Sequence, residues 1–158
     1  MSAGRGLNQV FKDVTQFHNF GKHPIGPQNG KLEMMEQTLV SKVYAYRIRQ
    51  QSDQIKTRVA DPSGNVPRLI LRVAWMLEEI AELLEAETLT GQIDAILDLI
   101  YFAVGTFVEI GFYPGRAFDA VHDANMRKIP ADSGQKVQKP YGWVGPEIDI
   151  EREVERQQ

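Results

Sequence analysis

From Arg68 to Gly111 two apolar helical patterns follow one another across a short turn, and both carry acids where a core helix should have none. In the second pattern, at roughly 100° per residue, Ile93, Ile96, Leu97, Leu99, Ile100, Ala103, Val104, Phe107 and Ile110 cover most of the circumference. Asp94, Asp98, Gly105 and Glu109 share the remaining arc, about 60° wide at that pitch. A helix apolar nearly all round is normally buried, and ionised carboxylates are seldom buried without a partner or a metal. The arc is therefore expected to face a cation.

The preceding helix carries Glu78, Glu79, Glu82 and Glu85 at spacings that project neighbouring carboxylates from one side, with Leu69, Val73, Met76, Ile80, Leu83 and Leu84 on the other. Packed antiparallel, the two helices bring Glu79 and Glu82 opposite Asp94 and Asp98. That is an all-oxygen set suited to a hard divalent ion, Mg²⁺ or Mn²⁺. Two competing readings use the same residues. In one, a non-catalytic helical bundle binds structural cations or a basic partner through its acids; in the other, the second helix is rotated so that Asp94 and Asp98 meet water and Tyr101 and Phe102 are partly exposed.

The chain has 158 residues, enough for one domain with a sizeable core. A net charge of −3 with scattered Lys and Arg provides no basic stripe for nucleic acid. Without cysteine there is no disulfide, thiolate metal site or thiol nucleophile, and a reducing cytoplasm is the expected setting. His18, His23 and His122 lack the pairing of a histidine zinc motif. The apolar run from Ile93 to Phe112 tempts a membrane reading, but Asp94, Asp98 and Glu109 would be costly in lipid, so no membrane span is expected.

In chain order, Val10, Phe11, Val14 and Phe17 or His18 predict a helix over 7–20 that closes at Gly21. Leu32, Met35, Leu39, Val43 and Tyr46 predict a second, running to about Thr57. Asn65 is a plausible N-cap for the third, with Pro67 in its first turn. That acidic helix is expected to end near Thr88, with Thr90 and Gly91 forming the turn and Gly111 stopping the next helix. Pro114 opens a last core helix, with Phe118, Val121 and Met126 inward and Pro130 ending it. After Ala131 the chain reads as an extended, Pro- and Gly-marked tail with a charged end. The expectation is a single all-α domain over 1–158, about five helices in a core of 7–130 with a tail over 131–158.

The order LEEIAELLEA, DAILDLIYFAVGTFVEIG, VHDANMRKI and KPYGW, with FHNFGKHP upstream, resembles the MazG-like and phosphoribosyl-ATP pyrophosphohydrolase-like families of all-α NTP pyrophosphohydrolases. Many MazG proteins carry an ExxD pair in the second helix, whereas Ala95 stands three before Asp98 here. Asp94, four before, is similar to the phosphoribosyl-ATP branch. The resemblance implies cleavage of a nucleoside triphosphate between the α and β phosphates, with Mg²⁺ or Mn²⁺ held by Glu79, Glu82 and Asp98, and Asp94 and Glu78 completing or orienting the set. Glu78 or Glu79 would help deprotonate water.

Asn125 and Lys128 lie one helical step apart and can reach one ligand; in the family the matching residues sit at the phosphates. Lys128 also suits a helix C-terminus without any substrate. Phe17, His18, Phe20 and Trp143 are the rings available to stack on or edge a nucleobase, or else serve as plain core, and Trp75 reads as a packing or interface residue. The FHNFG and KPYGW segments look most like phage, MazZ-type members that act on (d)GTP, which would place the protein in a host cytoplasm. Phosphoribosyl-ATP is the alternative substrate. Relatives build active sites where protomers meet, so a homodimer or a homotetramer, as a dimer of dimers, is expected.

Overall fold

The computed structural model describes residues 6–26, 32–59, 67–130 and 136–158. Among them the chain is all-α, with six helices: α1 Leu7–Gly21, α2 Leu39–Val59, α3 Arg68–Glu85, α4 Leu89–Ile110, α5 Gly115–Met126 and α6 Glu147–Gln157. One isolated antiparallel bridge joins Ile129 to Gln138. The helices fall into two compact units, Lys31–Gly111 and Met1–Gly30 with Phe112–Gln158.

In the 31–111 unit small residues set the packing. Ala45 and Ser52 on α2, and Ala74 and Ala81 on α3, are wholly buried. Each pair is spaced seven residues apart, the repeat that keeps one seam facing a partner helix. The Ser52 hydroxyl donates to the Ala74 carbonyl at 2.8 Å, which fixes the antiparallel register. Beside this seam Lys56 pairs with Glu78, Arg49 with Glu85 at 2.5 Å, and Lys42 with Glu87 at 3.1 Å.

Several boundaries differ from the sequence reading. α2 starts at Leu39, not near Leu32. The cause is Gln92, buried on α4, whose amide donates to the Met35 carbonyl and accepts from the Met35 N–H, both at 2.9 Å. Gln37 adds a bond to the Leu84 carbonyl at 3.0 Å. These bonds hold 32–38 out of the helix, and Leu32 and Met35 are exposed. α3 ends at Glu85, and Thr88, expected near its end, instead caps α4 by accepting from Gly91 N–H at 3.0 Å. Thr90 and Gly91 therefore lie inside α4. Gly111, at φ +81°, stops α4 as expected, in a left-handed conformation that glycine adopts freely. α5 ends at Met126, before Pro130. Asn65 lies outside the described residues, and Pro67 occupies the N-cap position itself.

The largest correction concerns α4. Only Gln92 and Ala95 are buried on it, while Ile93, Leu97, Tyr101, Val104 and Val108 are each more than two-fifths exposed. A helix apolar nearly all round is not buried by this chain alone.

In the other unit α5 packs against α1 and α6. The charged end of the tail, with the last residues of the segment expected to be extended, forms a sixth helix. Glu147 and Asp149 stand in its first turn, where negative charge favours a helix, and Asp149 pairs with Arg152 at 3.1 Å. Gln157 ties its end to the α4–α5 loop, accepting from Tyr113 N–H at 2.8 Å and donating to the Tyr113 carbonyl at 3.0 Å. Glu153 is buried and paired with Arg156, and that pairing, with Gln157 and the charge of Arg116, holds its carboxyl at about 2. A depressed folded value means stability that is present above the ordinary carboxylate range and is lost as pH falls toward 2. Hydrogen exchange over 147–157 is expected to accelerate across that acid window in the parent, and Glu153→Gln should flatten the dependence. Among the described residues no helix is long and apolar enough to cross a membrane.

Candidate functional site

The α3–α4 pair is registered at its open end by its own cations. Arg72 Nε lies 2.9 Å from Glu109 Oε1 and Arg68 Nη2 lies 2.5 Å from the same oxygen. Both guanidinium groups lie over the Trp75 ring, at 5.4 Å for Arg68 and 5.3 Å for Arg72, and Trp75 packs at a tilt against Phe102 with ring centroids 5.6 Å apart. A Cβ at Gly105 would come within 2.6 Å of Arg72 Nη2, so the glycine leaves room for the guanidinium. At this end the acidic arc of α4 does face a cation, one the chain itself supplies.

The same antiparallel register continued toward the turn sets Glu79 across from Asp98 and Glu82 across from Asp94, since one helical turn on α3 matches one on α4. The electrostatics agree. Burial pushes the Glu79 carboxyl up from its ordinary value, and the charges of Glu82, Asp98, Glu78 and Asp94 push it further. Glu79 is 7% exposed and its Oε2 has no hydrogen-bond partner. Glu82, Asp94 and Asp98 are exposed around it, Tyr101 is exposed and Phe102 half-buried. That matches the accessibility of the rotated-helix reading, although both aspartates still lie near enough to act on Glu79.

Among the described residues no group of three or more His, Cys, Asp or Glu is gathered closely enough to hold a metal ion. The chemistry of the donors nonetheless fits a hard divalent cation: every group is a carboxylate, and the buried Glu79 Oε2 has no hydrogen-bond partner among the described residues. Glu78 differs from the rest. Its carboxylate is engaged by Lys56 of α2. Lys56 was missed by the sequence reading, although Arg49 and Lys56 share the seven-residue spacing of their partners Glu85 and Glu78.

The remaining predicted residues lie in the other unit. Lys128 Nζ donates to Asn125 Oδ1 at 2.7 Å, so the expected pair is brought together. The Trp143 indole N–H donates to the Ala124 carbonyl at 3.0 Å, and Lys128 and Lys139 stand 5.3 and 4.5 Å from its ring centre. Phe17 stacks on His23 at 5.7 Å, and His18, 5.4 Å from His23, sets Nδ1 2.8 Å from the Pro24 carbonyl. Phe20 is half-buried. His23 is a further ring that the sequence reading did not include.

The model of the phosphoribosyl-ATP pyrophosphohydrolase family matches residues 45–125, a span that runs from α2 to Asn125 and holds every acid of the α3–α4 cluster. No curated protein and no solved structure matches the chain. With the match covering more than half of its 158 residues, the chain belongs to the phosphoribosyl-ATP pyrophosphohydrolase family, part of the MazG-like NTP pyrophosphohydrolase superfamily.

Proposed function

We propose that this pyrophosphohydrolase cleaves a (d)NTP between the α and β phosphates, giving the monophosphate and pyrophosphate, and that it requires Mg²⁺ or Mn²⁺. The observation that carries the reading is Glu79: a buried carboxylate with an unpartnered oxygen, ringed by four more acids that disfavour its charge. Uncompensated negative charge of this kind is costly, and its retention is intelligible as a place kept for a cation. Glu79, Glu82, Asp94 and Asp98 would hold the ion, which when bound neutralises phosphate charge and lowers the pKa of water.

Glu79 and Glu78 are the groups assigned to assist deprotonation of that water. The Lys56 pairing supports Glu78 as the orienting member, since its carboxylate is already engaged by a side chain of α2. Asn125 and Lys128 would bind phosphate oxygens. Phe17, His18, Phe20 and Trp143 are the candidates at the base, with guanine first by likeness to MazZ-type members. The exposed apolar line along α4 supports a homodimer or a homotetramer.

The family match favours a second substrate, phosphoribosyl-ATP. Incubation with each triphosphate and with phosphoribosyl-ATP, in Mn²⁺, separates the two readings. Monophosphate and pyrophosphate from a dNTP are expected, dGTP fastest. Turnover of phosphoribosyl-ATP alone would reassign the substrate, and orthophosphate as the product would end the α–β assignment.

A further inference from the structure

After α5 the chain turns back on itself. Ile129 N–H donates to the Gln138 carbonyl at 2.8 Å and Gln138 N–H donates back at 3.0 Å. In an antiparallel bridge the flanking residues pair across it, so Lys128 and Lys139 stand opposite one another. Like charges directly opposite destabilise such a pair, and a local conflict retained in a natural chain is expected at functional positions. No carboxylate offsets it: among the described residues neither ammonium is in an ion pair.

Both lysines instead lie on Trp143, at 5.3 and 4.5 Å from the ring centre. The indole is fixed in turn by its bond to the Ala124 carbonyl, and Lys128 by Asn125. An aromatic face attracts a cation through its quadrupole but carries no net charge, so the two positive charges at this ring are not neutralised by it. Lysines are point charges with three donors each, and a ligand that satisfies two of them together carries several oxygens and at least two negative charges.

We infer that Lys139, braced on Trp143, joins Lys128, the lysine already assigned to phosphate, to form a two-cation subsite for a polyphosphate oxyanion. Lys139 is a phosphate-binding residue of the tail, and Trp143 serves as the platform that positions both ammonium groups. The inference rests on the nucleotide reading for which anion is native, the pyrophosphate portion of a triphosphate, but not for the existence of the subsite.

Calorimetric titration of the full chain with inorganic pyrophosphate, in metal-free buffer with ionic strength held constant, tests it without turnover. Saturable binding is expected, weakened about tenfold by Lys139→Gln, as for loss of one charge-assisted contact, and largely kept by Lys139→Arg. Lys139 is exposed, so its replacement leaves the fold intact. Absence of saturable binding, an equal response to sulfate, or unchanged affinity in Lys139→Gln would each overturn the subsite. A chain that binds pyrophosphate through Lys139 yet hydrolyses no triphosphate would sink the enzyme reading alone. A chain that hydrolyses triphosphates with no change in KM for Lys139→Gln and no pyrophosphate binding would sink the subsite alone.

Discussion

Glu79→Gln is expected to give a protein that is more stable than its parent in the absence of metal and nearly inactive in its presence. Glu79 is the one acid of the cluster that is buried, and burial together with Glu82, Asp98, Glu78 and Asp94 disfavours its charge. Glutamine keeps the shape, removes the charge and offers two N–H donors to neighbouring carboxylates that can only accept. A gain of about 1 kcal/mol is the scale of one such net hydrogen bond, and in a chain of this length it corresponds to a Tm higher by about 2–4 °C. Catalysis moves the other way. Loss of one group that stabilises charge in the transition state costs on the order of 10²–10³ in kcat. Melting curves with and without Mn²⁺ supply the discriminating readout: the parent should gain stability from the ion and the variant much less. A variant that melts lower than its parent in chelator, or that retains parental kcat, would show that Glu79 is a structural acid and that no cation belongs beside it.

How much of this was legible beforehand depends on what each signal measures. Helix existence and the antiparallel α3–α4 pairing could be read because apolar spacing reports which side of a helix packs, and because acids on facing arcs need a shared solution. Gly111 was readable as a stop because a left-handed residue is a local requirement. The start of α2 was not, since the exchange between Gln92 and the Met35 backbone joins residues far apart in the chain and leaves no periodic trace. α6 was missed because its moment comes from charged residues and its docking from Glu153 and Gln157, neither of which reads as apolar. In the candidate site the acids were visible, but the cations that partner their neighbours were not: Arg68 and Arg72 on Glu109, and Lys56 on Glu78. Arginine and lysine on a helix look like solvated surface until the facing helix is known. Trp143 was legible as an aromatic ring in the tail, but the two lysines that lie against it were not, because the chain must first fold back to bring Lys139 beside Lys128.

The exposed side of α4 leads to the second large effect. Ile93, Leu97, Val104 and Val108 follow one another at spacings of four, seven and four residues, one or two helical turns each, with Tyr101 and Ile100 between, and no charged side chain lies on that line. Among the described residues the buried apolar side chains are alanines and Val137, so many of the large apolar side chains that would normally build a core are exposed. An exposed apolar patch of this kind marks an interaction surface, and a line on one straight helix is self-complementary to a second copy related by a two-fold axis. Leu97→Lys with Val104→Lys places two charges seven residues apart on the line, at positions nearly half exposed in the single chain. Its fold should therefore tolerate them, with helical content unchanged, while a pair of helices brought face to face would have to bury four like charges. Light scattering at micromolar concentration is expected to show the parent at twice its 17.9 kDa mass or more and the double variant at 17.9 kDa. On the proposed homo-oligomer, in which sites form where protomers meet, turnover should fall with the assembly. A parent chain that runs at 17.9 kDa would remove the pairing, and a double variant that loses its helix signal would show instead that this face is covered within the chain itself.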